Sequence, residues 1–350
     1  MSVAAQFQID YLQYMDADGH WIRDDLPADA ANPQHLLALF KRMLFVRSFD
    51  TKSVALQRTG KLGTYAACIG HEATHVGIGA SMRSGDVFAP SYREYGTMFE
   101  RGVRPRDVLL YWGGDERGSD YPRDADAAID FPICVPISTQ CLHAAGSALS
   151  FKLQGKPQVA VACCGDGGSS KIDFYAALNS AGAYTLPLIL CVINNGWAIS
   201  VPRSAQTGAQ TLAQKGLAGG LQCLQVDGND LVAVLEAMRQ ARVRALAGDG
   251  GTVIEFLTYR LSDHTTADDA RRYRGSSRAG RANRCCACAA ISPRKACGTV
   301  PRKTPGRPNA ARAWTKRSTP ISTRRCSRSK RCSITSTATR RPSCWRSAPR

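Results

Sequence analysis

The sequence predicts an α/β fold, a doubly wound and mainly parallel sheet with flanking helices, and three observations carry that expectation. The first is a pair of short apolar runs rich in β-branched residues, Val159 to Cys164 and Leu188 to Ile193. Uniformly apolar runs of this length read as strands buried on both faces. The second is the stretch between them. Ile172 to Tyr184 carries apolar residues at helical spacing and has the length of a crossover helix. The third is the repeat of the alternation further on: strand-like Cys223 to Val226, helix-like Leu231 to Ala247, strand-like Thr252 to Tyr259. A right-handed crossover brings the loops after the first two strands to one edge of the sheet. Asp166 and Asn195 then face each other across a crevice.

Taken in order, Met1 to Ala31 has scattered aromatics and little periodicity, and reads as an arm lying on a partner subunit or as a frayed terminus. Asn32-Pro33 starts a helix, with a capping side chain and proline at the first position. Leu36, Leu37, Phe40, Met43, Leu44 and Phe45 give it an apolar face, and Gly60 ends the segment. Gly70-His71-Glu72-Ala73 opens a small-residue helix running to about Met82. His71 reads as a packed or capping residue more readily than as a catalyst. Ser84-Gly85-Asp86 is a turn before Val87 to Glu94. Gly113 to Asp130 is polar and reads as a loop. A helix follows from about Cys141 to Leu153 and carries His143. Leu212 to Leu221 also reads as a helix.

The chemistry sits where the two central strands end. Gly165-Asp166-Gly167-Gly168 follows the first, and Asn194-Asn195 follows the second. A carboxylate and an amide oxygen are hard ligands for magnesium or calcium. Gly167 and Gly168 let backbone N–H groups approach an anion closely, and the helix that follows adds its positive end. Ion and loop together suit a diphosphate. Two nucleotide signatures fail on the same stretch. No Gly precedes Lys171 and Ile172 stands where a P-loop needs Ser or Thr, while Ser170 occupies the third glycine of a dinucleotide fingerprint. Arg93, an arginine suited to a diphosphate, lies beside Tyr92. His264, in a polar loop after a parallel strand, is a better functional candidate than His71 or His143.

Gly165-Asp166-Gly167 through Asn194-Asn195 resembles the thiamine-diphosphate motif. From about Asn32 to Arg274 the chain resembles the α subunit of the two-subunit, thiamine-dependent decarboxylase component of 2-oxo acid dehydrogenase complexes, of the pyruvate dehydrogenase type. The resemblance implies a thiamine-diphosphate-binding fold and a site made of Tyr92, Arg93, Ile137, Asp166, Gly167, Gly168, Asn195, Arg260 and His264. Ile137 matches the aliphatic residue that props the cofactor into its bent form. Asp166, Asn195 and the main-chain carbonyl of Trp197 match the ligands of Mg2+. Arg260 to Asp269 matches a mobile cofactor loop, in which His264 takes a catalytic place. Many members carry Gln where His71 stands, and Lys171-Ile172 departs from the commoner pattern of an acidic or amide residue followed by Gly. The implied reaction decarboxylates pyruvate, a small 2-oxo acid, and passes the acetyl group to the lipoyl domain of the complex's acyltransferase. It requires a β subunit, expected in a heterotetramer. Branched-chain 2-oxo acid or acetoin dehydrogenase α subunits are the alternatives, as is an inactive truncated subunit.

Composition divides the chain at Arg274. The 350 residues carry a formal charge of +18, but residues 275–350 hold 20 Lys and Arg and no acid. The preceding 274 residues hold 26 basic and 28 acidic side chains. The chain thus divides into an arm over 1–31, the cofactor domain over 32–274, and a basic tail over 275–350 that lacks apolar periodicity and is expected to be disordered. A shifted reading frame is the simplest account of that tail. No aromatic-basic recognition module accompanies its charge, so no nucleic-acid partner is expected. Its cysteines lack the paired spacing and the histidines of a zinc site. The start of the chain has no basic-then-apolar signal pattern and no run reaches membrane-spanning length. With single cysteines buried in apolar runs, a cytoplasmic protein is expected, with no membrane partner.

Overall fold

The computed structural model describes residues 2–28 and 32–274. They build one six-stranded sheet, and every pairing in it is parallel. The strands are β1 (Asp10–Leu12), β2 (Val87–Ala89), β3 (Ala160–Gly165), β4 (Leu188–Asn194), β7 (Gln222–Asp227) and β8 (Thr252–Leu257), in the order β1-β7-β8-β4-β3-β2. A two-stranded antiparallel ribbon, β5 (Trp197–Ala198) with β6 (Val201–Pro202), projects after β4 and leads into the single-turn helix α7 (Arg203–Gln206). The tail over 275–350, with the expectations attached to it, lies outside the described residues.

Strand periodicity sorts the core into two layers. In β3 and β4, Ala160, Ala162, Cys164, Leu188, Leu190 and Val192 enter one apolar cluster. The alternate residues Val161, Cys163, Ile189, Cys191 and Ile193 enter the other. Helices α5 (Thr139–Leu153) and α6 (Ile172–Ala183) cover the first face through Cys141, Ala144, Phe174 and Leu178. The second face is covered by α2 (Glu72–Ser81) and α8 (Leu231–Leu246), through Val76, Ile78, Val234 and Met238. The seven cysteines of the described residues are unpaired, and all but Cys134 are buried.

The long first helix, α1 (Pro33–Arg58), starts where expected, with the Asn32 side chain accepting from the His35 N–H at 3.1 Å. Its buried face differs from the expected one. Leu36, Leu39, Met43, Val46 and Phe49 are buried, whereas Leu37, Leu44 and Phe45 are exposed. The expected face mixes two sides of the helix, because apolar residues alone do not say which stripe meets the core. Two short helices, α3 (Tyr95–Glu100) and α4 (Pro105–Trp112), were not anticipated. The helix expected over Leu212 to Leu221 is a 3-10 turn over Ala213–Gly219. Its Leu212 and Ala213 N–H groups donate to buried Glu255, and glycines 216, 219 and 220 discourage an α-helix.

The start of the chain is the largest departure. Residues 10–12 pair with this chain's own sheet, Asp10 opposite Leu224 and Leu12 opposite Val226. One carboxylate anchors Tyr14 and Met15, which follow the strand after Gln13. Asp230, at the N-cap of α8, accepts from Val232 and Ala233 through Oδ1, and from Tyr14 and Met15 at 2.7 and 2.8 Å through Oδ2. A segment without periodicity thus becomes an edge strand through partners more than 200 residues away in sequence, which no local pattern signals.

Candidate active site

The carboxyl ends of β2, β3, β4 and β8 open into one cleft of about 600 Å3. Tyr92, Arg93, Ile137, Asp166, Gly167, Gly168, Asn195, Trp197, Arg260 and His264 all line it. The sheet accounts for this convergence. Parallel neighbours β3 and β4 release Asp166 and Asn195 at the same edge, and β8, beside β4, releases Arg260. Arg93 arrives from the segment after β2, on the other side of β3.

Asp166 is 2% exposed, and burial raises its carboxyl above the usual range, opposed by a 3.2 Å hydrogen bond from Gln206 Nε2. The turn behind it is tightly held. Ser169 Oγ donates to the Asp166 carbonyl at 2.7 Å, and buried Lys215 Nζ donates to the Ser169 carbonyl at 2.9 Å. Ser138 Oγ reaches across from the start of α5 to the Gly168 carbonyl at 2.8 Å. Ser138 holds a left-handed backbone, φ 68°, which is costly for a residue with a Cβ and sits beside exposed Ile137. Neither glycine has room for a Cβ. A Cβ at Gly167 would lie 2.6 Å from Ala198 Cβ, and one at Gly168 would lie 2.8 Å from Ser138 Oγ.

Part of the lining is cationic. Arg93 and Arg260 are 6% and 0% exposed, and among the described residues neither forms a salt bridge. Arg93 donates to the carbonyls of Ala67 and His264, and Arg260 to that of Ile199 at 3.1 Å. Both guanidiniums approach His264 Nδ1 at 3.2 Å. A guanidinium only donates, so Nδ1 is the acceptor and the imidazole carries its hydrogen at Nε2. Burial, with Arg93 and Arg260 adding repulsion, pushes the His264 pKa down to about 3.

The loop from Arg260 to Asp269 carries more anchoring than its polar composition suggested. Leu261 N donates to Ile69 O, Thr266 N to Tyr65 O, His264 N to Asp268, and Ala270 N to Asp263. His71 also lines the cleft; it is buried, neither ring nitrogen has a hydrogen-bond partner among the described residues, and burial drives its pKa well down. His143 lies outside the cleft, exposed and stacked on Phe131. Sequence reasoning did not find Ser138, Gln206 or Lys215, whose contacts with the Asp166 turn span 30 to 46 residues.

The dehydrogenase E1 component family model matches residues 40–284. A protein of Staphylococcus epidermidis named pyruvate dehydrogenase E1 component subunit alpha is 42% identical over 272 residues, covering 77% of this chain and 72% of that protein. The protein of the same name from Staphylococcus aureus is 40% identical over the same length and the same shares. The match takes in β2, β3, β4 and β8 together with every cleft residue named above, and the chain therefore belongs to the dehydrogenase E1 component family.

Proposed function

We propose that the chain is the α subunit of a pyruvate dehydrogenase and that its cleft holds thiamine diphosphate and a magnesium ion. The charge inventory of the cleft carries this reading. Among the described residues neither buried guanidinium forms a salt bridge and buried Asp166 has no cation within salt-bridge distance, so the site suits an anion and a cation together. Among the described residues no group of three or more His, Cys, Asp or Glu can hold a metal. The available donors are the Asp166 carboxylate, the Asn195 amide oxygen and the Trp197 carbonyl, a hard oxygen set suited to Mg2+ completed by diphosphate oxygens.

Thiamine diphosphate, when bound, supplies the electron sink for loss of CO2 from a 2-oxo acid. Arg93 and Arg260 would bind and orient the diphosphate, each through donors not engaged by main-chain carbonyls. Gly167 and Gly168 would admit it against the backbone. Ile137 offers the aliphatic surface that keeps the cofactor bent, and Tyr92 closes the wall beside His264, its ring 6.0 Å from the imidazole. His264 holds a hydrogen at Nε2 that it can donate to a phosphoryl or substrate oxygen. A β subunit would supply the remaining half of the site, with pyruvate as the 2-oxo acid and a lipoyl-bearing acyltransferase receiving the acetyl group. Among the described residues no helix is long and apolar enough to cross a membrane. A cytoplasmic heterotetramer, with residues 32–274 as the cofactor-binding unit, belongs to the same reading.

Asp166→Ala tests it. In the chain paired with a β subunit, titration calorimetry with thiamine diphosphate at fixed magnesium should show binding for the wild type and none for the variant. Equal affinity in both would remove Asp166 from the site. No binding by a folded wild-type pair would remove the reading itself.

A further inference from the structure

Behind the proposed metal-binding turn lies a carboxylate to which the proposed function gives no part. Glu255 sits in the middle of β8, and its exposure is 0%. Its oxygens are filled unequally. Oε2 accepts from Leu212 N at 2.7 Å, Ala213 N at 3.1 Å and Gln225 Nε2 at 3.0 Å. Oε1 accepts from Asn194 Nδ2 at 2.6 Å. That last contact fixes the Asn194 amide, because its NH2 must face Glu255 and its oxygen must then point the other way. The oxygen accepts from Gly196 N at 3.0 Å, where the backbone has φ +83°. The turn so formed carries Asn195 and Trp197, and Asn195 Oδ1 accepts from Trp197 N at 3.2 Å.

We propose that Glu255 is a positioning residue for the cation site: through Asn194 it fixes the Asn194–Trp197 turn that presents the Asn195 amide and the Trp197 carbonyl to the metal. The inference rests on the proposed function for the identity of the ion and deepens it. Its physical basis is the acceptor-only character of a carboxylate. Four donors converge on Glu255, and only a group with acceptors on both sides satisfies all of them. A glutamine at 255 must keep its oxygen toward the three donors at Leu212, Ala213 and Gln225. Its NH2 then meets the Asn194 NH2. If the Asn194 amide flips to relieve this, it turns its NH2 onto the Gly196 N–H. One donor pair clashes in either state, so the turn loses its single geometry.

The same logic specifies a rescue. In the double variant Asn194→Asp with Glu255→Gln, the new carboxylate at 194 accepts from the amide NH2 introduced at position 255 on one side and from Gly196 N on the other. The charge moves across this one contact, from position 255 to position 194, and every donor is again matched. A residue that merely fills space gives no reason for this swap to restore anything.

The test uses the full chain with a β subunit, and two readouts. One is the magnesium dependence of thiamine diphosphate binding by calorimetry. The other is amide hydrogen exchange at Gly196 and Trp197 without any ligand. Glu255→Gln should weaken the apparent magnesium affinity roughly 10–100-fold and speed exchange at both amides. The double variant should recover both, while Asn194→Asp alone, which sets two carboxylates against each other, should not. Should Glu255→Gln unfold the chain, the double variant should still fold and bind. Wild-type affinity and exchange in Glu255→Gln overturn the proposal, and so does a double variant no better than that single one. A wild-type pair that does not bind thiamine diphosphate strikes the functional reading instead, and the exchange data still decide the role of Glu255 in the turn.

Discussion

His264 is held neutral by burial and by the two cations beside it, and that makes its protonation a reporter of the cleft. Its folded pKa of about 3 lies well below the ordinary histidine value of 6.5. An unfolded chain therefore binds this proton more readily than the folded one. The group leaves stability intact above pH 6.5 and erodes it as pH falls from 6.5 toward 3. A bound diphosphate brings negative charge to the same cations and should raise the pKa. NMR titration should show no His264 protonation between about pH 5 and 8 without cofactor, and an upward-shifted pKa with it. An unchanged pKa in the loaded protein would place the diphosphate elsewhere. Gly168 makes a second prediction at this scale. Its added Cβ would lie 2.8 Å from Ser138 Oγ and 3.1 Å from Cys164 Cβ, so Gly168→Ala should cost about 1–3 kcal/mol in urea unfolding. Asp166 and Asn195 were legible in the sequence because each follows an unmistakable buried strand. Ser138, Lys215 and Glu255 were not, because what gives each its role is a partner brought near only by the fold.

Elements with a strong period were legible to within a few residues, as β4, α6 and α8 were, since burial on a sheet face imposes the pattern that the sequence displays. Short elements without a period were not. The edge strand β1 owes its place to β7 and to Asp230, which binds Tyr14 and Met15 with one oxygen while capping α8 with the other. Its carboxyl is raised by burial against the pull of those four N–H groups. Asp230→Asn keeps one oxygen, and that oxygen can serve α8 or the arm. We expect the amides of Tyr14 and Met15 to exchange faster while most of α8 stays protected, with a global loss of about 1–3 kcal/mol. Protection of both amides in the variant would show that sheet pairing alone holds the arm.

At the scale of the molecule, the parallel sheet and the position of the cleft were readable from alternation alone, whereas the surface it must present to a partner was not. Around the cleft the chain exposes Val135, Ile137 and Ile199, with Ile199 at 53%. Apolar side chains gathered at the mouth of a charged cleft suit a covering subunit. The charge pattern bears on whether one can bind. Up to Arg274 acids and bases nearly balance, and beyond it 20 basic residues stand without one acid. Such a run repels itself and attracts polyanions without selectivity. The proposed shift of reading frame after Arg274 makes a direct prediction. Co-expressed with a β subunit, the chain with the alternative frame restored should elute as a heterotetramer in size-exclusion chromatography and decarboxylate pyruvate. The chain as written should assemble poorly, and added salt should release bound nucleic acid without restoring assembly. If both versions assemble and turn over pyruvate equally, the residues after Arg274 do not govern assembly, and the apolar rim of the cleft suffices to recruit the β subunit. Ile199→Glu would then be the variant that prevents it.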